Sequence, residues 1–107
     1  MAAGPMHQQE RPGLMGCAAP YPRLRDRADV LAFISAPLAE AVEVVGTVVA
    51  KLWVSSDAVD TDVTVKLLDI APPSEDWPEG FDLNVCDTIL RLRYREGWDR
   101  EVLMTPG

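Results

Sequence analysis

The chain has 107 residues, enough for one small domain, with 48% hydrophobic and 25% charged residues in an ordinary globular balance. Ten lysines and arginines against 17 aspartates and glutamates leave a formal charge of −7. That argues against nucleic acid or an anionic membrane surface as a partner, because both need clustered cations to displace counterions. No run reaches the roughly 18 apolar residues that a membrane-spanning helix needs.

Residues 1–27 carry Gly4, Pro5, Pro12, Gly13, Gly16, Pro20 and Pro22 with no sustained period, the composition of a flexible leader. Leu14-Met15-Gly16-Cys17 superficially resembles a lipidation box. The polar run His7-Gln8-Gln9-Glu10-Arg11-Pro12 occupies the place of the apolar signal segment, so no lipid anchor is expected and the cytoplasm is the expected location. Cys17 and Cys86 belong to no C-x-x-C pair, and two free thiols are expected.

From residue 28 the pattern becomes β-prone. Val30, Leu31, Phe33 and Ile34 predict a first strand that Pro37 ends, since proline cannot donate to a ladder. Residues 42–55 form the longest β-prone region, with Gly46 at a bend or bulge. Val48, Ala50, Leu52 and Val54 face one way there, and Thr47, Val49, Lys51 and Trp53 the other, which predicts a strand in mid-sheet. After a turn over 55–60, residues 61–70 predict a returning strand with Val63, Val65 and Leu67 on its apolar face and Asp62, Thr64 and Lys66 on its polar one. Pro72, Pro73, Pro78 and Gly80 make 72–80 a surface loop. The last predicted strand covers 88–95, with Leu90, Leu92 and Tyr94 opposite Ile89, Arg91, Arg93 and Arg95. Helix is confined to at most one turn within 38–45, where Val42, Val44 and Val45 oppose a longer one. The fold class is therefore all-β, an antiparallel β-sandwich or part of one.

A hydrolytic triad is ruled out by counting. His7 is the only histidine, it precedes Ser35, Ser55, Ser56 and Ser74, and none of these serines sits in a G-x-S-x-G elbow. Asp57, Asp60 and Asp62 concentrate oxygen ligands of the kind calcium takes, but without EF-hand spacing, and are read as turn and surface carboxylates. Arg91, Arg93 and Arg95 either dock an acidic partner or answer carboxylates such as Asp62 across the sheet; a solvated face with ion pairs is the preferred reading. Trp53, Trp77 and Trp98 offer sugar-stacking faces, with packing preferred. No catalytic, cofactor-binding or metal-binding residue is assigned.

Several blocks in order carry a family resemblance: Asp29-Val30-Leu31-Ala32-Phe33, Pro37-Leu38-Ala39-Glu40, Val44-Val45-Gly46, Leu52-Trp53-Val54-Ser55-Ser56-Asp57-Ala58 and Asp60-Thr61-Asp62. They continue in Pro78-Glu79-Gly80, Asp87-Thr88-Ile89-Leu90-Arg91-Leu92-Arg93-Tyr94-Arg95 and Leu103-Met104-Thr105-Pro106-Gly107. Over 26–107 the chain closely resembles the C-terminal domain of the X-prolyl dipeptidyl aminopeptidase and cocaine esterase hydrolases.

The resemblance implies a jelly-roll sandwich related to galactose-binding folds, appended to an α/β-hydrolase domain that holds the serine, aspartate and histidine. It implies a supporting, non-catalytic role for 28–107, with the catalytic domain as partner in cis or as a separate chain, no cofactor, and no activity of this chain alone. The leader does not resemble the end of a hydrolase domain, and the family's domain usually continues beyond the position of Gly107, so an incomplete copy of the sandwich is expected. Leu52, Val54, Val63, Val65, Leu67, Leu90 and Leu92 would each forfeit up to about 1.5–3 kcal/mol without a facing sheet. The sum rivals the net stability of about 5–15 kcal/mol of a whole domain, and self-association through open strand edges is expected. A free-standing carbohydrate-binding or adhesion jelly-roll module is the alternative.

Overall fold

The computed structural model describes residues 7–10 and 16–17 as strand backbone and residues 23–107 with their side chains. Among these the protein is all-β. Strands β1 (His7–Glu10), β2 (Gly16–Cys17), β3 (Asp62–Ala71) and β4 (Phe81–Arg91) are accompanied by two short 3-10 turns, Leu24–Asp26 between β2 and β3 and Leu92–Tyr94 after β4. The sheet order is β2-β1-β4-β3. β1 lies parallel to β2, with His7 opposite Gly16, and antiparallel to β4, with His7 opposite Leu83. Numbers rise along β3 as they fall along β4: Asp62 meets Arg91 and Lys66 meets Asp87, so the two form an antiparallel hairpin. Both short strands and the first 3-10 turn fall inside the expected leader, of which residues 1–6, 11–15 and 18–22 lie outside the described residues.

The hairpin loop is built by its turn chemistry. Pro72 and Pro73 follow the last residue of β3, the Ser74 and Gly80 N–H groups both donate to the Trp77 carbonyl at 2.9 Å, and the Ser74 hydroxyl accepts from the Trp77 N–H at 3.2 Å. Gly80 has φ +83°, and a Cβ there would stand 2.7 Å from the Ala71 carbonyl oxygen, so only glycine enters β4 this way.

The chain divides into two compact units, Met1–Gly46 with Leu68–Val85, and Thr47–Leu67 with Cys86–Gly107. In the first, Leu24 is 4% exposed and the Asp82 carboxylate is fully buried, 3.3 Å from Arg25 Nε. Trp77 packs edge-on against Phe81 with ring centroids 4.4 Å apart. In the second, Leu92 is 7% exposed and its N–H donates to the Thr61 carbonyl at 2.9 Å.

Four expectations need correction. Residues 30–34 and 42–55 are irregular and join no ladder with the described residues, because a β-prone sequence becomes a strand only where neighbouring backbone groups pair with it. Their side chains are correspondingly open, including Leu31, Phe33, Val45 and Trp53. The hairpin therefore joins β3 to β4 and does not join 42–55 to β3. The last strand starts at Phe81 and ends at Arg91, where the chain tightens into the Leu92–Tyr94 turn. On β3, Leu67 does not share the cover of Val63 and Val65: coverage changes parity at Lys66, and Leu68 and Ile70 are the half-buried residues beyond it.

Candidate functional site

Two faces of the hairpin dominate the second unit, and their chemistry is opposite. Because side chains alternate along each strand, antiparallel pairing puts Asp62, Thr64 and Lys66 of β3 with Arg91, Ile89 and Asp87 of β4 on one face. Val63 and Val65 lie with Leu90 and Thr88 on the other.

The polar face is a ladder of closed ion pairs. Arg91 donates to both oxygens of Asp62, from Nε at 2.9 Å and Nη2 at 3.2 Å, and Lys66 Nζ meets Asp87 Oδ2 at 2.5 Å. Just beyond the strand ends, the Arg93 backbone N–H donates to Asp60 Oδ1 at 3.0 Å and its Nε to Oδ2 at 2.6 Å. Arg93 also stands 3.5 Å from Glu101, which accepts the Tyr94 hydroxyl at 2.7 Å. Hydrogen bonding from Arg91 holds the Asp62 carboxyl below its ordinary pKa. At Asp60 partial burial pushes the carboxyl up, but the Arg93 side-chain and backbone hydrogen bonds together outweigh it and the pKa is lowered. The hydrogen bond to Glu101 raises Tyr94.

Backbone bonds tie the surrounding segments together: Val102 N–H to Arg93 O at 2.7 Å, Met104 N–H to Val59 O at 2.8 Å and Gly107 N–H to Ser56 O at 3.2 Å. Arg95 serves the same end. Its guanidinium donates to the carbonyls of Leu92, at 3.0 Å, and of Val102.

The apolar face borders a groove of 780 Å³ walled by Leu52, Val54, Val63, Val65, Leu90 and Met104.

The expected answer of Arg91 to Asp62 is thus present, and Arg93 makes the equivalent pair with Asp60. Arg95 does not line their strand face, since it lies past the 3-10 turn and caps carbonyls. Asp57 joins neither pair. Among the described residues no group of three or more His, Cys, Asp or Glu side chains is placed to hold a metal ion. Three of the serines make local hydrogen bonds: Ser35 donates to Ala36 O, while Ser56 and Ser74 accept from the Ala58 and Trp77 N–H groups. His7 lies on β1, where only the backbone is described, and Cys86 is a free, exposed thiol. Of the tryptophans, Trp77 packs on Phe81, Trp98 stacks on Tyr94 with centroids 6.1 Å apart, and Trp53 is 95% exposed. Sequence reasoning missed the Arg25–Asp82 pair, which joins distant segments without a local signature, and the Glu101 link to Arg93 and Tyr94.

Cocaine esterase of Rhodococcus sp. (strain MB1 Bresler) is 45% identical over 84 residues, covering 78% of this chain. The matched region is 14% of the esterase, so the chain spans a small part of that relative's length. No solved structure gives a significant match. The profile described as the X-Pro dipeptidyl-peptidase C-terminal non-catalytic domain matches residues 5–107, nearly the whole sequence, and the chain belongs to that family.

Proposed function

We propose that this chain is the non-catalytic β-sandwich portion of a serine hydrolase acting on X-Pro peptides or acyl esters, and that it supports an α/β-hydrolase catalytic domain supplied in cis or as a separate chain. The observation that carries the reading is the match of residues 5–107 to a C-terminal domain described as non-catalytic. The groove walls add support, because Leu52 and Val54 are exposed there and Val63 and Leu90 only half-buried, an apolar surface of the kind that a docked neighbour covers. A jelly-roll arrangement of the completed domain, of the galactose-binding type, is part of the same proposal, and the antiparallel β3–β4 hairpin is compatible with it.

The test is to assay the purified chain with a chromogenic ester and an X-Pro anilide, alone and after adding a separately produced catalytic domain of a relative. No turnover alone, together with complex formation and a raised melting temperature of the catalytic domain, is the expected result. Turnover by the chain alone would overturn the reading.

One observation favours a second reading, a free-standing carbohydrate-binding module: Trp98 is 77% exposed and backed by the Tyr94 ring. Glycan binding that vanishes in Trp98→Ala and persists in Trp53→Ala would move the assignment to that module.

A further inference from the structure

We draw no further inference here: the strongest candidate, the apolar groove of the second unit between residues 52–54 and the Val63, Val65 and Leu90 face of the hairpin, is an unpartnered surface, and nothing in the structure shows what covers it.

Discussion

The β3–β4 hairpin and the run at 42–55 are similar in composition and opposite in fate. Both are rich in β-branched and other apolar residues, the run on both of its faces and β3 in alternation with polar ones. β3 pairs with β4, whereas the run finds no ladder among the described residues. The lesson is that β propensity measures fitness for a pleated, half-buried surface, and that surface is made by a neighbour. Residues that would be core elsewhere are surface here for want of one among the described residues.

The difference can be pressed hardest at single leucines. Leu92→Ala removes a buried side chain and is expected to cost about 2–3 kcal/mol, while Leu52→Ala, at a side chain 54% exposed, is expected to stay within about 0.5 kcal/mol. Urea unfolding followed by tryptophan fluorescence separates the two; equal losses would mean that 42–55 is packed after all. Next comes the turn. Gly80→Ala forces a Cβ into the Ala71 carbonyl at positive φ, with an expected cost of about 1–3 kcal/mol read as lost amide protection in β3 and β4.

Limited trypsin digestion compares the two regions within one molecule. The bond after Lys51 is expected to be cut about tenfold or more faster than the bond after Lys66, whose backbone is in β3 and whose ammonium is held by Asp87. Similar rates would remove the distinction. The smallest effects belong to the ion pairs. Asp60→Asn is expected to loosen the Leu92–Tyr94 turn more than Asp62→Asn, because Asp60 accepts from a backbone N–H as well as a guanidinium. Exchange of the Arg93 amide reports this directly.

The pH dependence has a definite sign. Both carboxyls have lowered pKa values in the folded state, so their contribution is present above the ordinary aspartate value of 3.8 and is lost as pH falls below it through the lowered folded values. A thermal midpoint measured from pH 6 downwards is expected to fall most steeply in that acid range, and less steeply in the doubly substituted Asp60→Asn, Asp62→Asn chain.

How far the fold could be read from residues depended on how local its causes are. β3 was legible because Val63 and Val65 alternate with Asp62, Thr64 and Lys66, and the loop because prolines and glycine punctuate it. The first half of β4 was not, since Asp82, Asn84 and Asp87 are poor strand formers whose places are set by tertiary partners, Arg25 for Asp82 and Lys66 for Asp87. The pairing of the Asp60 and Asp62 carboxylates with Arg93 and Arg91 was partly legible, because matching two-residue spacings suit facing antiparallel segments. Arg95 broke the series where the chain turns; the signal was Gly97, which adopts φ +148° two residues later.

The paired ladder has a consequence for how this unit meets ionic surroundings. Each of Asp60, Asp62 and Asp87 is matched by a cation within 3 Å. Seen from more than a Debye length of about 8 Å, these couples cancel to a weak multipole. Any long-range attraction exerted by the chain's surplus of acid must therefore originate on other surfaces, and added salt should leave encounters with this edge almost unchanged.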